Sequence, residues 1–294
     1  MSDIPHIAPA RPMTPAFWRD AGMSERFAMI LAAALGLAAI LAPLLAPHDP
    51  DAQSLLLRLR PPMGFDRAAP GYLFGTDELG RDVLSRALYG LQMTMGLAVL
   101  GATIGLLLGS AIGLSAGMAG GRVENLLMAA VDVQISIPFT LIALLVLAIF
   151  GSSLPVLVLV LGLAGWEQYA RIVRAEVRRL MAMNFIEAAH LAGARPLTLA
   201  RDHILPNIVS PLVVQFTLSL ASIILLESTL SFLGLGVQPP TATLGAMVGH
   251  GRNFMATAPW IVLAPALVIL ALTFVAQILG DWLRDRTDIR LRGR

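Results

Sequence analysis

Long apolar runs separated by short polar stretches dominate the pattern of this chain. Each run is long enough for a helix to cross the hydrocarbon core of a bilayer, which takes about 20 residues. The six runs comprise residues 27–46, 92–117, 126–150, 154–172, 208–233 and 259–279. Backbone polar groups must be paired with one another inside lipid, and a helix achieves this within a single segment. The pattern therefore predicts an all-α integral membrane protein with six transmembrane helices.

The composition agrees with this prediction. Hydrophobic residues make up 56% of the chain and charged residues 14%, whereas an average soluble domain carries about 25% charged residues. The sequence pI of about 9.6 is also typical of nucleic-acid-binding proteins. However, all 21 basic residues are arginines, and they cluster at the ends of the apolar runs. We therefore expect the arginines to anchor helices at the surface of a lipid bilayer, with no nucleic acid as partner.

The arginines also predict the orientation of the chain, because cytoplasmic loops of membrane proteins are enriched in basic residues. With the N-terminus inside the cell, 15 arginines lie in inner segments and six in outer segments. We expect a multi-pass protein of the bacterial cytoplasmic (inner) membrane with both termini in the cytoplasm. The expected divisions are a cytoplasmic N-terminal tail (1–24), a first transmembrane helix (25–47), a periplasmic segment (48–90), a core with five transmembrane helices (91–284) and a cytoplasmic tail (285–294).

Residues that would support enzymatic chemistry are missing from the sequence. The phosphate-binding loop of nucleotide hydrolases requires a lysine, and the chain contains none. The chain also lacks cysteine, which excludes disulfides, thiolate metal sites and thiol nucleophiles. The five histidines are scattered and form no His-Glu-x-x-His pattern. The sequence therefore predicts a chain that is not an enzyme and has no catalytic, cofactor-binding or metal-binding residues.

Charged residues inside the apolar runs are candidates for function, because a charge in the membrane is costly. Asp132 lies about 12 Å along the third span if that helix starts near Glu124, and Glu227 lies about 30 Å beyond Asn207, near the outer boundary. These two residues are the intramembrane polar candidates, with either a structural or a functional role. Glu167 lies four residues before Arg171, a spacing that predicts an ion pair on one helix face.

Glycines recur every four residues in the second run. They are Gly101, Gly105, Gly109, Gly113 and Gly117. Small residues at this spacing let another helix backbone approach closely. Two interpretations remain open, namely tight packing of a neighbouring helix and a smooth surface along which helices slide as a pore opens.

Two polar stretches on the expected outer side contain recognisable local signals. Thr76 is placed to cap a helix whose first turn holds Asp77 and Glu78. Residues 234–257 are rich in glycine and proline, which predicts a compact structured loop rather than a further span.

The polar stretch between the fourth and fifth runs, EAAHLAGARPLTLARDHILP at 187–206, is longer than a simple connection needs. Asn184 is expected to cap a short helix that ends before Gly193, a left-handed stop. Ala188 and Ala189 would leave a surface that a partner's groove can bury. An ordinary loop between helices is the alternative. Since we expect this loop in the cytoplasm, the sequence predicts a cytoplasmic partner.

This stretch resembles a known motif. EAAHLAGA followed by HILPN resembles the EAA motif of type I ATP-binding-cassette (ABC) importer permeases. Five further stretches resemble the peptide/nickel branch, specifically the second permease subunit of dipeptide and oligopeptide importers. They are GTDELGRDVLSR (75–86), LSFLGLGVQPP (230–240), GAM (245–247), APW (258–260) and LGDWLRD (279–285). The resemblance covers residues 74–292.

Two positions depart from the pattern of these permeases. His203 stands where the motif has an aliphatic residue three positions before the proline. Asp288 is followed by Ile289 where the branch has a proline.

The resemblance implies a type I ABC importer (MetI-like) permease fold with a cytoplasmic coupling helix in the EAA loop, residues 184–206. It also implies that this loop contacts separate ATPase subunits. The residues implied in that contact are Glu187, Ala188, Ala189, His190, Gly193, Ala194, Leu205 and Pro206.

The implied function is that of a transmembrane permease subunit in an ATP-driven, binding-protein-dependent importer. Its implied partners are a homologous sister permease, two cytoplasmic ATP-binding subunits that hold ATP and Mg, and a periplasmic or lipid-anchored substrate-binding protein. No cofactor is expected on this chain itself. Di- and oligopeptides are the leading substrates, while nickel chelates, glutathione-like peptides, opines and glycosides remain open. The competing hypothesis is an ion-gradient-driven secondary transporter or channel, in which Asp132 would be essential for coupling.

Overall fold

The computed structural model describes residues 21–287, and the regular structure in that part of the chain is helical. Most of the predicted N-terminal tail, most of the predicted C-terminal tail and the Asp288–Ile289 position lie outside the described residues. The α-helices of the described part are α1 (Met23–Ile40), α2 (Ala42–Leu45), α3 (Val83–Ala119), α4 (Gly121–Ser136), α5 (Phe139–Phe150), α6 (Leu154–Gly162), α7 (Trp166–Met181), α8 (Asn184–Leu191), α9 (Pro196–Thr198), α10 (Leu205–Phe232), α11 (Leu244–Gly251) and α12 (Trp260–Thr287).

Five helical stretches among the described residues are long and apolar enough to cross a membrane. They are α1, α3, α6 with α7, α9 with α10, and α12. A sixth span results if α4 and α5, which are bent by 84° at their junction, count as one. The predicted all-helical membrane protein is confirmed, but the third predicted span is not straight. Pro138 explains the bend, because proline donates no N–H and pushes the preceding Ile137 out of helical geometry.

The glycine track of α3 packs directly against α6 and α7. A Cβ atom on Gly113 would lie 2.5 Å from the carbonyl oxygen of Ala170 and 2.8 Å from the Cβ of Val173. A Cβ atom on Gly101 would lie 3.1 Å from the Cβ of Leu161 in α6. Real Cβ atoms essentially never come within 3.0 Å of such atoms. The track is therefore a close-packing surface, and its second half, Gly109, Gly113 and Gly117, leaves no room for a Cβ atom unless the helices move apart.

The fourth predicted span, residues 154–172, is also interrupted. Helix α6 ends at Gly162 and α7 begins at Trp166. Between them, Gly165 adopts the left-handed conformation with φ at +83°, which glycine accepts without steric cost. The two helices still qualify together as one span from Leu154 to Met181.

The segment between α2 and α3 folds over one end of the helices through buried polar contacts. The carboxylate of Asp77 accepts hydrogen bonds from the backbone N–H of Arg81 at 2.9 Å and from its Nε at 2.6 Å. These local bonds hold residues 77–81 in a turn, so α3 starts after Asp82, its N-cap, and the expected helix after Thr76 is wrong. The carbonyl of Thr76 instead accepts from Trp260 Nε1 at 3.1 Å.

The stretch between α10 and α12 is compact, as predicted, and contains α11. Thr243 caps α11 by accepting a hydrogen bond from the N–H of Ala246 at 3.2 Å. The N–H of Leu244 donates to Thr94 near the start of α3 at 3.2 Å. Helix α11 and the segment before α3 thus lie at one end of the molecule, whereas α8 lies beyond the other end of α3, near Met118.

Candidate coupling site in the loop 184–206

A short helix, α8, begins the loop directly after α7. Asn184 is its first helical residue and Leu191 its last. Gly193 follows with φ at +86°, a conformation that favours glycine. The N–H of Ala194 donates to the carbonyl of Ala189 at 3.1 Å, which is the long-range bond of a Schellman helix end. The short helix and its glycine stop therefore form where the sequence predicts them, with Asn184 inside the helix rather than before it.

One side of α8 packs into an apolar cluster that we call the Ile186 cluster. Ile186 is only 2% exposed, and Ala189 and Ala194 pack against the same cluster. Its other buried members come from α7, from the turn before α10 and from α10, namely Val173, Val177, Leu180, Leu199, Ile204 and Ile208. Because these side chains bury one another, α8 is held to α7 and α10 as one body.

The opposite side of α8 is exposed. Glu187 and Ala188 lie there, together with Leu191, which is 81% exposed. Leu197 in α9 is 79% exposed. The sequence predicts that Ala188 and Ala189 both face a partner, but only Ala188 is exposed. Each residue turns about 100° around a helix, so these neighbours face different surroundings.

The other predicted contact residues lie inside α8 and at the start of α10. His190 belongs to α8, whereas Leu205 and Pro206 begin α10 and are exposed. Residues 199–204 form one π-helical turn ahead of them, in which the N–H of Leu205 donates to the carbonyl of Ala200. Pro206 has no N–H to donate to the preceding turn. The regular helical hydrogen bonds are therefore interrupted at Pro206, directly after the widened turn.

The departure at His203 is accommodated by its neighbour. Ile204 is fully buried in the Ile186 cluster and supplies the aliphatic packing that the motif requires. The His203 ring lies edge-on to the Phe185 ring of α8, with 6.4 Å between the ring centroids. His203 therefore adds a second contact between α8 and the start of α10.

Comparison with known protein families found a match that includes this loop. The family described as "Binding-protein-dependent transport system inner membrane component" matches residues 109–289. This match covers more than half of the chain and includes the whole loop 184–206. The chain belongs to this family. It is a multi-pass inner membrane permease subunit. The predicted ABC permease fold is therefore confirmed, and so is the prediction that the chain is a transport subunit and not an enzyme. Such a subunit depends on a binding protein and on ATPase partners.

Several individual proteins resemble this permease over most of their length. It is 35% identical over 299 residues to the dipeptide transport system permease protein DppC of Haemophilus influenzae, covering 99% of this chain and 100% of that one. It is 38% identical over 254 residues to the di/tripeptide transport system permease protein DppC of Pseudomonas aeruginosa, covering 86% and 84%. It is 37% identical over 279 residues to the oligopeptide transport system permease protein OppC of Escherichia coli, covering 92% and 90%. A chain of the inward-facing MetNI methionine ABC transporter aligns with 70% of this chain and 96% of its own length, with a TM-score of 0.49 and 20% identity.

Ion pairs join α4 of the permease to the exposed side of α7. The side chain of Glu124 is 6% exposed and accepts hydrogen bonds from Arg174 Nε at 2.6 Å and Arg178 Nη1 at 2.8 Å. Asp132 accepts from Arg171 Nη2 at 2.7 Å. The predicted pair of Arg171 with Glu167 is therefore wrong, because α4 brings Asp132 within reach of the same guanidinium. No local sequence signal indicates the role of Glu124, because its partners lie 50 and 54 residues away along the chain.

Replacing Glu124 with alanine is expected to destabilise the folded permease by about 1–3 kcal/mol, because two arginines lose hydrogen bonds to a charged partner. The melting temperature of the purified transporter measures this effect. Glu176→Ala is the matched control, since Glu176 pairs with Arg179 at 2.8 Å with both side chains partly exposed. Such a surface pair contributes at most about 1 kcal/mol. Equal losses of melting temperature in the two variants would contradict the prediction.

Glu227, the other predicted intramembrane carboxylate, lies near the opposite end of the permease from Asp132. It is 1% exposed, and its Oε1 accepts a hydrogen bond from Ser231 Oγ at 2.6 Å. The Ser231 hydroxyl lies 3.4 Å from that of Thr243, the N-cap of α11. Glu227 therefore connects α10 to the start of α11, and the two carboxylates do not form one site.

Proposed function

We propose that this permease is the second permease subunit of an ATP-driven importer of di- and oligopeptides. The observation that carries the proposal is the 35–38% identity to dipeptide, di/tripeptide and oligopeptide permease proteins over 84–100% of their lengths. Nickel chelates, glutathione-like peptides, opines and glycosides are the alternatives within the branch. Competition by each class against uptake of a radiolabelled dipeptide decides among them.

The proposed assembly contains a homologous sister permease, two cytoplasmic ATP-binding subunits that hold ATP and Mg, and a periplasmic or lipid-anchored binding protein. In the proposed orientation both termini and α8 are cytoplasmic, and residues 48–90 are periplasmic. The excess of arginines in the inner segments supports this orientation, 15 against six. It also agrees with the positions of α8 and the segment before α3 near opposite ends of α3.

In the proposed mechanism, ATP-driven closure of the ATPase subunits displaces α8. Because the Ile186 cluster packs α8 against α7 and α10, the displacement passes to these helices as a rigid-body movement. Gly193 provides the left-handed turn after α8, and Pro206 marks where α10 begins. The helices then move between inward-open and outward-open arrangements.

The exposed side of α8 is the proposed contact surface for an ATPase subunit. Glu187 supplies a charge there, and the small side chain of Ala188 permits close approach. Leu191 adds exposed apolar area on α8, and Leu197 adds more in α9; exposed apolar patches mark interaction sites. Of the other implied residues, Ala189 supports this surface from inside by packing against the Ile186 cluster.

Site-directed crosslinking tests this contact. The chain has no cysteine, so Ala188→Cys introduces a unique thiol that is expected to crosslink to cysteines placed along the cleft of the ATPase subunit. Ala189→Cys is the matched control one residue away, and it is expected to crosslink poorly because it faces the Ile186 cluster. Failure of Ala188→Cys at every cleft position, or equal crosslinking by both variants, would argue against the proposed docking.

Uptake by the purified transporter in liposomes distinguishes the proposed importer from the ion-gradient-driven transporter or channel. The complete transporter in liposomes is expected to accumulate a dipeptide only with ATP and the binding protein. The pairing of Asp132 with Arg171 at 2.7 Å offers no support for a coupling carboxylate. Accumulation by this permease alone, driven by an ion gradient, would overturn the proposed function.

A further inference from the structure

The break between α6 and α7 lies level with the middle of the apolar run of α3. The apolar run of α3 extends over residues 92–117, and Gly105 occupies its middle. A Cβ atom on Gly105 would lie 3.3 Å from the carbonyl oxygen of Gly162 and 3.5 Å from that of Ala164. These carbonyls border the break. The first turn of α7 therefore begins about half-way across the apolar thickness.

Polar side chains gather at this depth, and we call them the mid-membrane cluster (Glu167, Gln168, Gln215 and Ser219). Gln215 of α10 donates through Nε2 to Gln168 Oε1 at 2.7 Å and approaches Ser219 Oγ at 3.3 Å. Gln168 is nevertheless exposed. The Oε2 atom of Glu167 is buried and accepts no hydrogen bond from the residues that the structure describes. A buried acceptor of this kind requires a donor.

Polar side chains extend from this cluster along one side of α7 toward α8. The residues concerned recur every three or four positions and are Gln168, Arg171, Arg174 and Arg178. Asp132 and Glu124 of α4 pair with the three arginines. The other side of α7 is apolar and packs against the glycine track. A polar surface that runs from mid-membrane to one end is unsuited to lipid, but it suits a water-filled route.

We propose that this side of α7 lines the inner half of the translocation route and that the mid-membrane cluster contacts the main chain of the passing peptide. The inference rests on the proposed function. The exposed amide N–H₂ of Gln168 matches peptide carbonyl oxygens. Recognition of main-chain groups does not discriminate among side chains, so one route serves peptides of varied sequence.

Thiol accessibility in the complete transporter tests the route. Gln168→Cys is expected to react with a charged methanethiosulfonate on the order of tenfold faster than a lipid-facing control, because the reactive thiolate forms in water. The control is Leu107→Cys, which lies at a similar level on α3, on the side away from the glycine track, is 65% exposed and is expected to face lipid. Labelling is read from the mass of this chain, and saturating dialanine is expected to slow it. Reaction of Gln168→Cys no faster than that of Leu107→Cys in every nucleotide state would overturn the inference.

A kinetic measurement tests the peptide contact independently. Gln215→Leu removes the hydrogen bond that orients the Gln168 amide, and this loss is expected to raise the KM for dialanine uptake about threefold to tenfold. Gln92→Leu, an exposed glutamine of α3 distant from the cluster, is expected to leave KM unchanged. The melting temperatures of both variants separate misfolding from lost contact, and an unchanged KM in a folded Gln215→Leu transporter would overturn the peptide contact.

The two proposals fail in distinguishable ways. If the wild-type transporter takes up a glycoside and no peptide, the proposed substrate is wrong, whatever the accessibility of residue 168. If it takes up dialanine while Gln168→Cys stays unreactive, the proposed function stands and the route is wrong.

Discussion

Gly113→Ala is expected to destabilise the folded permease by about 3 kcal/mol, at the upper end of the usual cost of overpacking. The added methyl group would lie 2.5 Å from the carbonyl oxygen of Ala170 and 2.8 Å from the Cβ of Val173. Neither atom is the end of a flexible side chain, so α3 and α7 must separate. The melting temperature of the purified transporter measures the loss, and the yield of assembled transporter is expected to fall with it.

Gly96→Ala is the matched control on the same helix. Gly96 has no heavy atom within 4 Å of its would-be Cβ, and alanine is the better helix former by about 1 kcal/mol. This variant is expected to be neutral or slightly stabilising. If the two alanine variants melt at the same temperature, close packing of α3 on α7 is not what holds these helices together.

Gly193→Val is expected to reduce ATP-driven uptake on the order of tenfold while leaving membrane insertion and assembly intact. A valine with a positive φ costs about 1–2 kcal/mol, and each 1.4 kcal/mol corresponds to about tenfold in an equilibrium. The structure shows no atom within 4 Å of a Cβ at this position, so the effect arises from the backbone alone. Strain at the end of α8 misplaces the exposed side of the helix relative to the ATPase cleft.

Gly193→Asn separates backbone strain from side-chain size, because asparagine tolerates the left-handed conformation. It is expected to retain most of the uptake and of the substrate-stimulated ATPase activity. Normal uptake by Gly193→Val would refute the proposed role of this turn, and equal loss in both variants would mean that any side chain at this position blocks docking.

The candidate site shows which of its features are local in sequence. A short helix that starts beside Asn184 and a left-handed stop at Gly193 follow from residues that lie next to one another, so pattern alone predicts them to within one residue. The different environments of Ala188 and Ala189 cannot be predicted from the pattern, because the two residues are chemically identical. Their environments depend on how Ile186 packs against side chains of α7 and α10, which no local pattern encodes.

The bend between α4 and α5 can likewise be predicted from local sequence, whereas the ion pairs depend on packing between helices. Pro138 is a local signal for the bend between α4 and α5, because a proline inside an apolar run can be recognised from the sequence alone. The partners of Glu124 lie 50 and 54 residues away, so its double ion pair could not be read from spacing. Arg171 shows how a distant partner can replace a local one. Glu167 lies four residues before Arg171 in the sequence, but the guanidinium contacts Asp132 of α4.

The chain alone establishes a helical membrane protein, the positions of its apolar runs and a motif that places it among importer permeases, because hydropathy, helix stops and motifs are carried by residues close together in sequence. Three-dimensional packing establishes which side of α8 is free, which carboxylate each arginine meets and the depth at which the fourth span breaks. These depend on which side chains of distant segments meet, namely the Ile186 cluster for α8, the carboxylates of α4 for the arginines and the glycines of α3 for the approach of α6 and α7.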